Sequence, residues 1–293
     1  MLSKGTLISL AALALVVAGC AKPEESTTGT STTGDTATKQ TLTVKGSDTL
    51  VQLAQVWAQD FMKVHPEISV TVTGGGSNTG IAALMNKGTD IANASRPMKD
   101  EEKEAAKKNG IDVKEFIVAQ DALSMIVNKS NPINELTIDQ LADIYLGKTT
   151  NWKQLGGPDK NIVVNGRESS SGTFTFFQEH VLKKKAYATT VLQNPATTAI
   201  VENVTQDDGA IGYVGLGYVN DKVKALKIKK DATSPAVEAT VADVLNGTYP
   251  LSRSLFEYMP GEPTGPSKVW LDWVMGKDGQ ALVEKLGFVP VKS

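Results

Sequence analysis

The chain has 293 residues, of which 41% are hydrophobic and 21% are charged, and this ordinary soluble composition allows either two modest lobes or one large domain. Its formal net charge is -2 and its isoelectric point is near 5.8, which argues against a broad basic face for nucleic acid or for an anionic membrane surface. Any anion that the protein binds must therefore be held by a local group of donors.

The first 19 residues have the pattern of a secretory signal peptide. One early lysine, Lys4, precedes an almost wholly apolar run from Leu7 to Ala18, which is too short to span a bilayer. We therefore expect residues 1–19 to be removed during export.

Cys20 is the only cysteine of the chain and directly follows Val17-Ala18-Gly19. A lone cysteine excludes an internal disulfide. The stretch resembles the lipobox of bacterial lipoproteins, which implies that Cys20 carries a lipid and becomes the new N-terminus. The exported protein would then be lipid-anchored to the cell membrane, facing the periplasm or the cell exterior. The alternative is an unmodified buried or free thiol.

Residues 20–40 form a serine- and threonine-rich segment with almost no large apolar side chain. Such a segment cannot bury enough surface to order itself. We expect it to act as a flexible tether, and a coil of this length spans on the order of 25 Å. That reach would let the folded body move near a membrane surface.

The rest of the chain alternates between strand and helix patterns, which predicts an α/β fold. The patterns predict strands at 42–45, 68–73, 90–94, 115–128, 161–166 and 209–219, and a return of the chain at 223–229. They predict helices at about 48–64, 77–87, 99–109, 137–147, 172–182, 267–274 and 279–286. The strand at 115–128 is interrupted by Gln120-Asp121 and is long enough to cross between two lobes.

The stretch Arg167-Glu168-Ser169-Ser170-Ser171-Gly172-Thr173 places an arginine and a hydroxyl cluster at a predicted helix start. The first N–H groups of a helix have no partner within it, and an arginine can bind an oxyanion through two parallel bonds. Gly74-Gly75-Gly76-Ser77-Asn78-Thr79-Gly80 and Gly46-Ser47-Asp48-Thr49 repeat this arrangement before two other helices. The sequence therefore predicts an anion site built from three helix starts.

Other interpretations of these residues remain open at this stage. Each glycine-rich turn can simply be a turn with a helix cap, and Arg167 can form a surface ion pair with Glu168. A hydrolase using Ser77 or Ser171 as its nucleophile lacks a G-x-S-x-G or H-E-x-x-H motif and a well-placed histidine. Clustered ligands for zinc or paired metals are also missing from the sequence. We therefore expect neither an enzyme nor a cofactor.

Residues 41–293 resemble the phosphate-binding lipoproteins of bacterial phosphate ABC transporters, in the type 2 periplasmic-binding-protein superfamily. The resemblance rests on Gly46-Ser47-Asp48-Thr49-Leu50, Gly74-Gly75-Gly76-Ser77, Ala94-Ser95-Arg96-Pro97, Arg167, Ser171-Gly172-Thr173, the stretch 151–157 and Ile211-Gly212-Tyr213. It implies a two-lobed fold in which each lobe is a mixed sheet flanked by helices. Lobe 1 would comprise residues 41–118 and 222–293, and lobe 2 residues 119–221.

The resemblance also implies a function and a set of binding residues. Inorganic phosphate would be bound in the cleft and passed to the permease subunits of an ABC transporter, with the protein acting as a monomer. The first lobe would bind through the Thr49 hydroxyl, the Leu50 N–H, Ser77 and Ser95, and the second through Arg167, Ser171, Gly172 and Thr173. We also expect the lobes to close about crossings near Val118–Asp121 and Val219–Val223. The alternative ligands are other tetrahedral oxyanions such as sulfate or molybdate.

Three further candidates lie beside these residues. Arg96 stands where well-known members of the family have an aspartate that accepts the phosphate proton, and it either contacts the anion or pairs with Asp48 or Asp90. Asp48 is then the first candidate for the group that accepts the phosphate proton, ahead of Glu168 or a backbone carbonyl. Alternatively, Ser47 or Asp48 serves only as the N-cap of the first helix.

Overall fold

The computed structural model describes residues 39–291, which belong to one compact unit, Thr38–Ser293. The predicted signal peptide, Cys20 and the tether up to residue 38 lie outside the described residues. The first strand begins at Gln40, so it includes the last residue of the predicted tether. No helix among the described residues has both the length and the apolar character needed to cross a membrane.

Strands and helices alternate along most of the described chain, as the sequence patterns predict. The strands are β1 (Gln40–Gly46), β2 (Ile68–Thr73), β3 (Ile91–Ala94), β4 (Lys114–Asn128), β5 (Glu135–Thr137), β6 (Val163–Arg167), β7 (Leu192–Asn194), β8 (Ala210–Gly215), β9 (Val223–Ala225), β10 (Lys227–Lys229) and β11 (Ser252–Met259). The helices are α1 (Asp48–Val64), α2 (Ser77–Met85), α3 (Asp100–Lys108), α4 (Ile138–Tyr145), α5 (Gly172–His180), α6 (Thr197–Gln206), α7 (Val241–Leu245), α8 (Gly265–Met275) and α9 (Lys277–Lys285). Of these elements, the patterns miss α6, α7, β5, β7 and β11.

The main sheet has the order β2-β1-β3-β11-β4-β8-β6-β7, and β9 also pairs with β4. Strands β1, β2 and β3 are parallel, as are β6, β7 and β8, whereas β11 and β4 run antiparallel to their neighbours. This mixed sheet flanked by helices confirms the predicted α/β fold class. Because parallel strands end at the same edge, the turns that follow β1, β2 and β3 are brought together.

Strand β4 takes part in both halves of the sheet. Its residues up to Ala122 pair with β11, and its residues from Leu123 onward pair with β8 and β9. The predicted interruption at Gln120-Asp121 does not end the strand, because Asp121 lies opposite Arg253 in the antiparallel ladder and the two charges pair. The long crossing strand is therefore continuous.

The chain rejoins the half of the sheet that contains β1, β2 and β3 later than residue 222, where the predicted lobe boundary lies. Strand β9 pairs with β4, β10 pairs with β5, and the buried side chains of Tyr249 and Leu251 pack with the core around β8. Among the strands after residue 222, it is β11 that pairs with β3. The pairing thus favours a return near Ser252, and the lobe boundaries themselves stay a prediction.

Helix α1 is held to the sheet by one apolar face that includes Trp57 and Phe61. Trp57 and Phe61 both contact Trp270 of α8 edge to face, with ring centroids 6.4 and 5.2 Å apart. Such aromatic pairs contribute roughly 1 kcal/mol each beyond the burial of their surface. Tyr213 and Phe177 stack in the other half, with centroids 4.6 Å apart. Trp57, Phe177 and Tyr213 are fully buried in the core.

A carboxyl group, that of Glu257 in β11, is buried in the core beneath α8. Its two oxygens accept hydrogen bonds from the indole Nε1–H of Trp270 at 3.2 and 3.0 Å, and the residue is 0% exposed. Burial raises the pKa of Glu257 to about 8, although the Trp270 bond opposes this rise. Its neutral, protonated form is therefore favoured in the folded protein at neutral pH.

We expect Glu257→Gln to stabilise the protein increasingly as the pH rises. The folded-state pKa lies above the unfolded value, so the stability that protonated Glu257 supplies is complete below about pH 4 and is lost as the pH rises to about 8. Glutamine does not titrate, so the stability of the variant relative to wild type should rise by roughly 5 kcal/mol across this pH range. Urea unfolding at a series of pH values measures it. An advantage independent of pH would contradict the assignment.

Candidate functional site

The predicted anion-binding stretches come together where parallel strands end. Strand β1 leads into α1, β2 leads into α2, β3 leads to Ser95, and β6 leads into α5. The backbone N–H of Asn78 in α2 donates to Ser170 O before α5 at 3.0 Å. The start of α5 also approaches α2 and β3 closely, since a Cβ on Gly172 would lie 2.3 Å from Ser77 Oγ and 2.9 Å from Ser95 Oγ.

Four predicted ligand residues form a continuous hydroxyl chain, Thr49, Thr173, Ser95 and Ser77. The oxygen–oxygen distances along it are 3.0, 3.3 and 3.3 Å, and each residue is at most 3% exposed. The Ser95 N–H donates to Ser77 Oγ at 3.0 Å. Four hydroxyl protons serve three bonds along the chain, so at least one proton is left for an outside acceptor. The hydroxyl chain is therefore a compact donor surface.

Arg167 is the last residue of β6, where the chain turns towards α5, and is 2% exposed. Its guanidinium donates from Nε to Asn194 O at 3.1 Å, from Nη1 to Thr197 Oγ1 at 3.0 Å, and from Nη2 to Pro195 O at 2.9 Å and Asp48 Oδ2 at 2.6 Å. Arg167 therefore forms a buried ion pair with Asp48, and not the surface ion pair with Glu168 that the sequence also allowed. One Nη1 N–H has no partner among the described residues and can still bind an anion.

Asp48 joins two of the predicted turns and the arginine. Its Oδ1 accepts the Gly75 N–H at 2.9 Å, and its Oδ2 accepts from Arg167. The alternative that Asp48 is the N-cap of α1 is wrong, because Asp48 is the first helical residue. Ser47 holds the N-cap position but makes no side-chain cap bond. Asp48 therefore acts through its contacts with Gly75 and Arg167 rather than as a cap.

Arg96 lies outside the hydroxyl chain. Its guanidinium donates to Glu102 at 2.8 and 2.6 Å, to Asn78 Oδ1 at 3.2 and 2.6 Å, and to Pro97 O at 2.8 Å. The considered pairing with Asp48 or Asp90 is therefore wrong, and in this arrangement all five N–H groups are occupied. Burial raises the pKa of Glu102, but the bonds and the charge from Arg96 outweigh it and lower the pKa overall.

The remaining predicted residues lie at the helix starts with their own local bonds. The Leu50 N–H donates to Ser47 O at 3.0 Å, so an anion would have to share that donor. Ser171 caps α5, because its Oγ accepts from the N–H groups of Thr173 and Phe174 at 3.2 and 3.4 Å. Ser47 is 2% exposed, and its Oγ has no hydrogen-bond partner among the described residues. Ser47 and Ser171 thus both keep a hydroxyl proton near the site.

The sequence patterns miss a third arginine that contacts the hydroxyl chain. Arg253 in β11 donates from Nη1 to Thr173 Oγ1 at 3.0 Å and from Nη2 to Thr49 Oγ1 at 3.4 Å. It also donates from Nε and Nη2 to Asp121 Oδ2 at 3.0 and 2.8 Å, and Asp121 is fully buried. One sequence signal points to this pair, the charged Asp121 within the apolar run of β4, whereas Arg253 lies in a strand that the patterns do not predict.

The charges of the site are paired, arginine with carboxylate, and hydrogen-bond donors remain beyond those that the pairs use. The chain has three arginines, Arg96, Arg167 and Arg253, and each bonds a carboxylate. Burial raises the pKa of Asp121 above its ordinary value, and the Arg253 charge and the Leu216 N–H oppose that rise. Such a site can bind an anion through hydroxyl, N–H and guanidinium donors while remaining close to neutral by itself.

The described residues contain no cluster of three or more histidine, cysteine or acidic side chains that could hold a metal ion. His65 bonds Glu67 and His180 bonds Phe176 O, so neither histidine contacts the hydroxyl chain. The site therefore consists of hydrogen-bond donors with two nearby carboxylates, Asp48 and Asp121.

Comparison with known proteins gives matches over most of the chain. A sequence model described as the PBP superfamily domain matches residues 31–278. Protein SphX of Synechococcus elongatus is 36% identical over 267 residues, which cover 87% of this chain and 79% of that protein. The phosphate-binding protein PstS of Pseudomonas aeruginosa is 34% identical over 268 residues, which cover 84% of this chain and 81% of that protein.

Solved structures give the same result at the level of the fold. A substrate-binding protein from Clostridium perfringens, assigned to a phosphate ABC transporter and solved with bound phosphate, is 35% identical and superimposes with a TM-score of 0.79. The match covers 86% of this chain and 100% of that chain. An ABC-type phosphate transport receptor from Vibrio cholerae is 29% identical, with a TM-score of 0.70 over 85% of this chain and 100% of its own.

Proposed function

The chain belongs to the PBP superfamily, and we infer that it captures inorganic phosphate and delivers it to the permease of an ABC transporter. Its relatives include phosphate-binding proteins, and its family is one of substrate-binding transport proteins rather than enzymes. Phosphate is bound at the hydroxyl chain, with the starts of α1, α2 and α5 around it.

The observation that carries this proposal is the hydroxyl chain. A tetrahedral oxyanion needs several donors at short range, and the residues at the ends of β1, β2, β3 and β6 bring such donors together. The hydroxyl chain is buried, so an anion can reach it only when the two halves of the sheet separate. When the two halves close again, they enclose the anion together with its donors. Desolvation then strengthens each bond to the anion.

A calorimetric titration of the exported, processed protein with phosphate, sulfate and molybdate tests this function. We expect tight binding of phosphate and much weaker binding of the other two anions. Tighter binding of sulfate or molybdate would assign the site to that oxyanion instead. Hydrolysis of a chromogenic phosphate ester that is lost on Ser171→Ala would favour an enzyme, although neither Ser77 nor Ser171 contacts a histidine.

We expect Asp48→Asn to lower the preference for phosphate over sulfate. At neutral pH phosphate still carries a proton, so a fixed carboxylate can accept from it while repelling the oxygens of sulfate, and discrimination of about 10⁴ is within reach of such sites. Asparagine offers an N–H to sulfate instead. Affinities for the two anions give the ratio. An unchanged ratio in the folded variant would remove Asp48 as the acceptor and leave Asp121 as the next carboxylate.

We further propose that the protein is exported, anchored through a lipid on Cys20 and monomeric. The apolar segment before Cys20 and the serine- and threonine-rich segment after it support the anchor. We expect Cys20→Ser to release the protein into the soluble fraction, because one residue carries the whole anchor. Membrane fractionation with immunoblotting measures the release. Retention of the serine variant on membranes would contradict the lipid anchor.

A further inference from the structure

Arg253 occupies a position that the other two arginines do not. Its Nη1 and Nη2 atoms donate to the hydroxyls of Thr173 and Thr49, the two threonines that join the starts of α5 and α1. Neither Arg96 nor Arg167 donates to a member of the hydroxyl chain. Arg253 is therefore the arginine in direct contact with the donors that would surround the anion.

The guanidinium of Arg253 is held rigidly by three elements. Asp121 lies directly opposite it in the ladder between β4 and β11 and accepts two of its N–H groups. The ring of Phe176 from α5 lies 5.4 Å from its Cζ atom, a favourable cation–π distance. Ser95 O accepts a further Nη1 bond at 3.3 Å. These contacts fix the direction of the two N–H groups that reach the threonines.

Both threonine hydroxyls are the acceptors in their bonds with Arg253. A guanidinium can only donate, so Thr49 Oγ1 and Thr173 Oγ1 accept from Arg253 and keep their own protons for other partners. These two bonds, at 3.0 and 3.4 Å, go to neutral hydroxyls, so an anion can take their place. An anionic oxygen is a stronger acceptor for the same two N–H groups than a hydroxyl is.

We propose that Arg253 is an anion ligand of this site and that Asp121 is its positioning residue. The proposal rests on the phosphate-binding function above and adds a cation, supplied by β11, that faces Thr49 and Thr173. Phosphate accepts from Nη1 or Nη2 of Arg253 and from the threonine hydroxyls at once. Arg167, which also binds Asp48, contributes its remaining Nη1 N–H.

Phosphate titrations of three variants test the contact. Arg253→Lys keeps the charge but loses the fork, and we expect a loss of affinity of about tenfold or more. Arg253→Gln combined with Asp121→Asn removes both charges without leaving one of them buried alone, and we expect a loss of at least about 100-fold. The matched control is Glu257→Gln, a substitution of a buried polar side chain in the same strand, for which we expect wild-type affinity.

A second readout does not depend on the folding of any Arg253 variant. Because the chain has three arginines, the side-chain spectrum of the wild-type protein labelled with ¹⁵N-arginine should contain three Nε–H signals. Single arginine-to-lysine variants that fold assign the signals. We expect saturating phosphate to shift the Arg253 signal more than the Arg96 signal. Asp121→Asn should move the Arg253 signal even without phosphate, as a positioning role requires.

The outcomes separate this proposal from the proposed function. If wild-type protein binds phosphate, but the Arg253 signal does not respond and Arg253→Lys stays within about threefold of wild type, the function stands and Arg253 is not a ligand. If wild-type protein binds none of phosphate, sulfate and molybdate, the function itself fails, and the proposal fails with it. A response of Arg253 to sulfate or molybdate alone would support the contact while overturning phosphate as the ligand.

Discussion

Replacing Gly172 by alanine is expected to lower the affinity for phosphate by at least about 100-fold, which corresponds to ~2.7 kcal/mol. The added Cβ would lie 2.3 Å from Ser77 Oγ, 2.8 Å from Ser77 Cβ and 2.9 Å from Ser95 Oγ. Contacts this short cannot be relieved by rotating the serine, because Ser77 Cβ itself is too close. The start of α5 would have to move away from α2 and β3, which opens the hydroxyl chain.

The same substitution should leave the rest of the protein intact. Gly172 is the first residue of α5 and lies outside the left-handed region, and alanine favours a helix over glycine by about 1 kcal/mol. Calorimetry gives the affinity, and small-angle scattering shows whether phosphate still compacts the protein. Gly88→Ala is the matched control, because its Cβ would meet only Ala83 O at 3.5 Å. Wild-type affinity of the Gly172 variant would show that α5 does not need to approach Ser77.

Replacing Arg167 by alanine is expected to weaken phosphate binding by at least about 100-fold and to destabilise the fold by roughly 3–5 kcal/mol. The guanidinium is fully enclosed and bonds Asp48 at 2.6 Å, so its removal leaves a partly buried carboxylate without its cation. Backbone carbonyls that accept from Arg167 also lose a donor. The neutral hydroxyls nearby cannot replace the charge-assisted bonds.

Urea unfolding and calorimetry separate the two effects of the Arg167 substitution. Arg167→Lys should restore only part of the affinity, because lysine is a point charge without the planar fork. The control is Lys153→Ala, since Lys153 pairs with Asp159 on the surface, where the two side chains are 70% and 68% exposed. We expect that variant to match wild type in both measurements. An Arg167→Ala protein with affinity within about threefold of wild type would place Arg167 outside the binding site.

Much of the fold follows from local patterns in the sequence. The apolar spacing of α1 and the turn after β1 need only neighbouring residues, and the structure has both where they are predicted. The capping box at Thr137 forms as its residues indicate, with Gln140 bonded to the cap in both directions. Strand β7 has three residues and α7 has five, which is too short for a periodic signal, so the sequence patterns do not reveal them.

Local sequence patterns predict only part of the candidate site. The hydroxyl residues Thr49, Ser77 and Thr173 are recognisable because each lies in a small or hydroxyl-rich turn before a helix. Arg253 has no such neighbourhood and lies in β11, which the patterns miss altogether. Because its role depends on Asp121 across the ladder, no local window contains both residues.

By itself the sequence determines the strand, turn and helix units whose helix starts supply donors, because helix periodicity and turn chemistry act between residues a few positions apart. Only the tertiary structure decides which carboxylate meets which arginine. Asp48 and Arg167 are 119 positions apart, and Asp121 and Arg253 are 132 positions apart. Their pairing is set by the register of β11 on β4 and by the meeting of α1 with the end of β6. Both depend on packing between distant segments, which no local pattern encodes.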